Sequence, residues 1–241
     1  MTEASQNENP PWLAREAALI GGSATACLRQ SRVLLFGTGG VGGYIAEALV
    51  RAGIGYLCAV DFDRVDITNI NRQIIADTET VGVEKAELIA KRAKKINPEI
   101  EVVPVTEFIT PHNAAEVIER AAPHFIADAV DNVSAKLSII EEAIARKIPV
   151  ISCMGTGNKL DPLRFRITDI SKTSVCPLAR VMRYELKKRG ISGGVPTLWS
   201  DETPHTNGGS RTPASISYVP AAAGLIIAGH IIRTITEDAG R

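Results

Sequence analysis

The chain predicts an α/β fold, a doubly wound Rossmann-like sheet that is mostly parallel, with antiparallel strands toward its C-terminal end. Three observations predict it. A glycine-rich turn links an apolar run to an amphipathic stripe, a second apolar run ends in an acid at a telling distance, and apolar runs keep alternating with helical stripes along the chain.

Residues 33–36 are apolar throughout, as a strand covered on both faces must be. Gly37, Thr38, Gly39, Gly40, Val41 and Gly42 follow, and then Ile45, Ala48, Leu49 and Ala52 recur at helical spacing. A strand, a glycine turn and a helix start gather backbone N–H groups at the positive end of a helix, which makes a phosphate cradle. Gly37, Gly39, Gly40 and Gly42 suit it because a side chain would hold a phosphate away and because positive backbone angles cost little only at glycine. The same string can also serve tight packing alone.

Residues 56–60 form the second apolar run, with a strand expected over 57–60, and end in Asp61. That acid lies 19 positions past Gly42, near the spacing at which a carboxylate meets ribose hydroxyls. Ala86, Ile89, Ala90 and Ala93 then mark a crossover helix that Asn97 and Pro98 end. Residues 102–105 predict the third strand, and Pro104 within it removes a ladder donor, which suits the edge place in the order 3-2-1-4-5-6.

Residues 125–127 and 150–153 predict strands four and five, joined by a helix that Ser134 caps and that turns Leu137, Ile140 and Ile144 inward. Residues 163–167 alternate like an antiparallel strand, and 178–188 follow helical spacing. Residues 192–213, rich in Gly, Pro, Ser and Thr, read as a long loop that is either functional or disordered.

At 241 residues the chain suits one large domain over 12–241, with a nucleotide-binding half at 12–155 and a second half at 156–241. Residues 1–11, polar and ending in proline, read as a disordered tail rather than a signal peptide. The apolar stretch 219–232 contains His230 and is shorter than the roughly 20 residues of a membrane span, so it reads as a buried helix. The 27 basic and 27 acidic residues balance, which leaves no global field to draw the chain onto DNA or RNA and only local patches to do so. Cys27, Cys58, Cys153 and Cys176 form no C-x-x-C pair, against structural zinc and a disulfide framework and in favour of the cytoplasm.

The polar loop after strand two carries Asp63, Asn69, Asn71, Arg72 and Gln73, and an arginine flanked by amides offers fixed donors to an α-phosphate or a pyrophosphate leaving group. Lys85, at the start of the next helix, can reach β- and γ-phosphates as a mobile charge, its plain alternative being a solvated surface lysine. Asp128, Asp131 and Asn132 follow strand four at the topological switch point, where a carboxylate such as Asp131 can hold Mg²⁺ together with substrate phosphates. Asp131 can equally cap the helix that follows. With no G-x-x-x-x-G-K-[ST], bound ATP would not sit in a P-loop.

The strings G-T-G-G-V-G, V-D-F-D-R-V-D-I-T-N-I-N-R-Q, V-G-V-E-K-A and D-A-V-D-N, with Arg15 upstream, resemble the ubiquitin-activating-like adenylating superfamily over nearly all of residues 15–232. Within it, I-T-D-I-S-K-T, Pro177-Leu178-Ala179 and the closing P-A-S-I-S-Y-V-P-A-A-A-G resemble the dehydratase branch that acts on tRNA carrying threonylcarbamoyladenosine. The resemblance implies that ATP adenylates the carboxylate of that group at adenosine-37-type positions, releasing pyrophosphate, and that the adduct then cyclises with loss of AMP. It implies that Gly40 and its neighbouring glycines contact the nucleotide and Asp61 the ribose. It assigns Asn69, Arg72 and Lys85 to the phosphates and Asp131 to Mg²⁺, and has Arg15 act across the interface of a homodimer. A sulfur-relay protein is a further partner it suggests.

Related activators pass the acyl group to a cysteine, but Cys176 adjoins Pro177 with no evident base and reads as a packed thiol. Arg180, Arg183, Lys187, Lys188 and Arg189, set against Glu185, form either a phosphate track for RNA or a solvated helix face. Three other functions compete, one of them a non-catalytic nucleotide-sensing scaffold that would bind ATP without turnover. Activation of a ubiquitin-like sulfur carrier would keep the fold, although its zinc-binding members carry two C-x-x-C pairs; an NAD-dependent oxidoreductase would leave Asn69, Arg72 and Lys85 unexplained.

Overall fold

The computed structural model describes residues 9–205, 208 and 213–238. Among them, seven strands form one sheet: Arg32–Phe36 (β1), Tyr56–Val60 (β2), Glu101–Val105 (β3), Phe125–Asp128 (β4), Val150–Cys153 (β5), Phe165–Asp169 (β6) and Pro196–Ser200 (β7). They lie in the order β3-β2-β1-β4-β5-β7-β6, parallel at every pairing except β6 with β7. The helices are Ala14–Ile20 (α1), Gly22–Gln30 (α2), Gly42–Arg51 (α3), Lys85–Ile96 (α4), Ala114–Ala121 (α5), Val133–Ala145 (α6), Pro177–Lys188 (α7) and Tyr218–Asp238 (α8).

Successive residues of a strand point to opposite faces, so the uninterrupted apolar run of β1 serves two cores. Val33 and Leu35 pack with Ile45 and Leu49 of α3, Ile89 of α4 and Ile227 and Ile231 of α8. Leu34 and Phe36 pack on the other side with Val117 and Ile118 of α5 and Ile139 and Ala143 of α6. Strand β3 takes the edge, where the missing N–H of Pro104 breaks no ladder, as its position in the sequence predicts.

Helix α8 is long and apolar enough to cross a membrane by length and composition. Here it buries Val219, Ala223, Ile227, Ala228, Ile231 and Ile235 in the protein core instead. Gly224 lets it close on the start of α3, because a Cβ there would lie 2.8 Å from Tyr44 Cβ.

Four expectations change. Residues 192–213 are not one loop, because Pro196–Ser200 forms β7, inserted between β5 and β6 with its proline at the first strand position, where no ladder donor is lost. The sixth place in the sheet therefore belongs to β7. Asn132, not Ser134 or Asp131, caps α6 by accepting from Ala135 N at 3.0 Å. On that helix Ile144 is 39% exposed and Ala143 takes the core position, because the buried face follows Lys136, Ile139, Ile140 and Ala143. Of the tail read over 1–11, residues 1–8 lie outside the described residues; Pro11 opens a short 3₁₀ turn, Pro11–Leu13, that leads into α1.

Candidate active site

The carboxyl end of β1 runs into the glycine turn, and two of its glycines are dictated by close approach. Gly37 has φ +83°, and a Cβ on it would lie 2.8 Å from Ala129 O of the loop after β4. A Cβ on Gly42 would overlap Gly37 O, so the turn can fold back on itself only with hydrogen at that position. The Gly37 N–H donates to Val60 O at 2.8 Å, which fixes the turn against the end of β2.

Asp61 holds the turn in place. Its Oδ2 accepts from Thr38 N at 2.7 Å and from Thr38 Oγ1 at 2.9 Å, while its Oδ1 accepts from Asp63 N at 2.9 Å. An ionised carboxylate offers about four acceptor positions, so one stays open for a ligand hydroxyl. The acid that the spacing assigns to a ribose thus also clamps the cradle.

The loop after β2 folds back over the glycines. Its first turn is a capping box in which Asp66 accepts from Thr68 N and Asn69 Oδ1 accepts from Asp66 N. This delivers Arg72 and Gln73 to the cradle: Arg72 Cγ and Gln73 Nε2 each lie 3.6 Å from where a Cβ on Gly40 and on Gly39 would stand. Arg72 Nη1 donates to Thr68 O and Asn71 Oδ1, both at 2.9 Å, leaving Nε and Nη2 without partners among the described residues. Gln73 Oε1 is buried with no partner, an acceptor that costs free energy until a ligand donor meets it. Asn71 Nδ2 ties the loop to Ser215 O, on the approach to α8.

Lys85 is not the solvated lysine of the plain alternative. It is 4% exposed, its N–H donates to Asp63 O at 3.0 Å, and its Nζ meets Asp63 Oδ2 at 2.9 Å. Asp131 stands at the same rim on the loop whose Ala129 and Val130 abut Gly37, and its exposed carboxylate has no polar partner among the described residues. Asn132 is committed to its cap. No cluster of three or more potential metal ligands occurs among the described residues, so a magnesium ion here would take one carboxylate and draw its other ligands from phosphates and water.

Arg15 stands apart. It follows Leu13 by two positions, and Leu13 packs on Gly53, at the amino end of β2 and so at the opposite end of the sheet from the glycine turn. Within one chain the structure does not bring Arg15 to the other candidates.

Two buried polar groups beside the rim escape sequence reading as groups, although Asp128 of the first stands out by its place after strand four. Lys136 and Asp128 pair at 2.9 Å with both side chains fully buried, and Ser152 Oγ donates to the same Asp128 oxygen at 2.6 Å. The other Asp128 oxygen accepts from Val130 N, so this group anchors the loop that leads to Asp131. The available signal was a lysine in the apolar stripe of α6 eight residues after an aspartate. Farther along, Glu202 accepts from Leu160 N at 2.9 Å, Asp161 N at 3.0 Å and His205, while Lys159 Nζ donates to Glu202 O. Burial alone would raise the Glu202 carboxyl, but these donors hold it below its ordinary value of 4.5.

Glu202→Gln removes a carboxylate that the folded state prefers ionised, and is expected to cost about 1–3 kcal/mol at neutral pH. Because the folded value is depressed, that contribution is present above 4.5 and fades as pH falls below it. Denaturant unfolding at pH 7 and pH 4 checks this, and a gap between variant and wild type that stays constant over the range would refute it.

Burial pushes the thiols of Cys58 and Cys153 up to about 11 and about 12, which removes them as nucleophiles at neutral pH. Cys176 is buried among Ile140, Met154 and Leu186, as expected of a packed thiol.

A model described as the ThiF family matches residues 13–241. The chain is 39% identical to the tRNA threonylcarbamoyladenosine dehydratase of Bacillus subtilis over 93% of its own length and 94% of that protein. The crystal structure of the Escherichia coli tRNA N6-threonylcarbamoyladenosine dehydratase in complex with ATP superposes with a TM-score of 0.90 at 33% identity, covering 100% of this chain and 98% of that one. The same enzyme in complex with AMP gives a TM-score of 0.87 at 34% identity, covering 93% and 94%. With that match running across both halves of the sheet and through α8, the chain belongs to the ThiF family.

Proposed function

We propose that this chain is an ATP-dependent dehydratase that adenylates the carboxylate of threonylcarbamoyladenosine in tRNA and closes it to the cyclic form. The observation that carries the reading is the gathering, at one rim, of a glycine turn with open backbone N–H groups, the free donors of Arg72, the orphaned Gln73 oxygen, the Lys85 ammonium and the unpaired Asp131 carboxylate. The relatives' names and their ATP and AMP complexes point the same way.

A carboxylate is a poor electrophile, so its oxygen first attacks the α-phosphorus, forming an acyl–O–P bond as the bond to the β-phosphate oxygen breaks and pyrophosphate leaves. Backbone N–H groups of residues 39–42, left open once Gly37 N and Thr38 N are bound to Val60 O and Asp61, cradle the nucleotide, and Asp61 accepts from the ribose. Arg72 and Lys85 stabilise charge on the departing pyrophosphate, with Asn69 and Gln73 lining the approach. Asp131 would hold Mg²⁺, which supplies charge neutralisation at the phosphate oxygens. An internal nucleophile of the same substrate then attacks the activated carbonyl and expels AMP. Bond for bond, water is lost from the substrate at the expense of ATP. The ring-closing partner is already attached, so effective molarity drives that step with no catalytic cysteine.

The placement of Arg15 at the far end of its own sheet supports a homodimer in which Arg15 of one copy completes the site of the other. A tRNA substrate and four free cysteines suit the cytoplasm. Incubating the protein with ATP and threonylcarbamoylated tRNA is expected to give a nucleoside lighter by one water, together with AMP and pyrophosphate, read by mass spectrometry. Pyrophosphate exchange driven by a diglycine-tailed protein and indifferent to tRNA would overturn the substrate. Tight nicotinamide binding without ATP binding would overturn the chemistry.

A further inference from the structure

Helix α7 carries, on its solvent side, a stripe that the adenylation site does not use. Arg180, Val181, Tyr184, Lys187 and Lys188 recur at helical spacing and all five are exposed. The other side of the helix, with Ala179, Met182 and Leu186, is buried against Leu137 and Ile140 of α6. The structure divides the basic residues of this segment. Arg183 turns to the Thr173 hydroxyl, and Arg189 pairs with Glu141 and Glu185. Arg180 and Lys187 have no polar partner among the described residues. Lys188 reaches Glu185 at 3.2 Å and lies 4.1 Å from the centre of the Tyr184 ring, which is itself 62% exposed.

The stripe starts at the rim. A Cβ on Gly155, two residues past the end of β5, would lie 3.9 Å from Cys176 Sγ at the cap of α7. Strand β5 neighbours β4, whose following loop carries Asp131. From there α7 runs about 18 Å down the flank of α6, at 1.5 Å per residue.

We propose that this stripe is the docking surface for the RNA strand that flanks the modified adenosine. Arg180, Lys187 and Lys188 meet phosphates, and Tyr184 offers a platform on which an unpaired base stacks. The inference rests on the tRNA reading above and adds where on the protein the tRNA lies. A chain with balanced charge holds a polyanion only through a local concentration of cations, and the solvent side of α7 provides Arg180, Lys187 and Lys188, with Glu185, the acid of that helix, shared by Arg189 and Lys188 and Glu141 of α6 paired with Arg189. A second copy of the chain fits the stripe poorly, because a two-fold contact would set these cations against themselves.

The test compares wild type with Arg180→Gln/Lys187→Gln/Lys188→Gln and with Tyr184→Ala, using threonylcarbamoylated tRNA and ATP over a range of salt. The triple variant is expected to raise the KM for tRNA at least about tenfold near physiological salt. It should also flatten the log–log salt dependence by about 2, at roughly 0.7–0.9 for each phosphate no longer neutralised. Tyr184→Ala is expected to raise the same KM about fivefold or more with the salt slope unchanged. The KM for ATP and the mass in light scattering should stay at wild-type values. An unchanged tRNA KM and salt slope in the triple variant overturns the proposal, and a change of oligomeric state that accounts for the loss does so too. Failure of the tRNA reading shows itself separately, as wild-type protein that releases no AMP in response to modified tRNA.

Discussion

Replacing Lys136 by methionine is expected to lower the free energy of unfolding by about 3–5 kcal/mol, because it strands the Asp128 carboxylate in the core. For a chain of this size that corresponds to a fall in Tm of roughly 6–20 °C. The ammonium and the carboxylate are fully buried and 2.9 Å apart, and the remaining partner of that carboxylate oxygen, the Ser152 hydroxyl, is neutral. The cost is the desolvation of an unpaired charge, so neutralising the survivor should recover much of it. Lys136→Met/Asp128→Asn keeps an acceptor for Val130 N and is expected to be more stable than Lys136→Met. Denaturant unfolding decides the matter. A single variant within 1 kcal/mol of wild type, on the scale of an ordinary surface change, would show that water reaches Asp128.

The largest catalytic effect is expected at Lys85. Lys85→Met should lower kcat/KM for ATP on the order of 10²–10³-fold, the usual cost of removing one preorganised cationic or hydrogen-bond donor from a site of charge development. Stability should change little, because the Asp63 carboxylate is 48% exposed and recovers water when its partner goes. This separates Lys85 from Lys136, where losing the lysine damages the fold first. Asp131→Ala should act on the same step and leave the fold intact, since the side chain is exposed and partners no described group. Pyrophosphate exchange, read beside circular dichroism, tests both. Exchange at wild-type rate in Lys85→Met would remove this lysine from the phosphate site.

The parallel half of the sheet was legible because both faces of its inner strands β1, β2, β4 and β5 are covered. Runs such as residues 33–36 therefore stay apolar without alternation, and the runs 33–36, 56–60 and 125–127 are each followed directly by a Gly or an Asp. β7 was not legible: its five residues begin with Pro196 and sit among glycine, serine and threonine, and only pairing on both sides makes them a strand. The rim was legible where chemistry and local geometry coincide, at Gly37, Gly42, Arg72 and Lys85. The Asp128, Lys136 and Ser152 group was not, because its members lie on a strand, a helix and a further strand that meet only in the folded sheet. Asp61 shows a third case, in which the spacing identifies the residue while the hydrogen bonds reveal a second duty as the clamp on Thr38.

The insertion of β7 between β5 and β6 bears on how the chain assembles. β6 leaves the ribosome before β7 yet, among the described residues, has no neighbour in the sheet except β7, so it waits for a partner made later. Until residue 200 is synthesised, one flank of β5 stays an open edge, while the β3-β2-β1-β4-β5 block can already be in register. Assembly is thereby split into an early parallel platform and a late step that seals it, and a nascent chain halted in the interval would present a sticky margin to its neighbours.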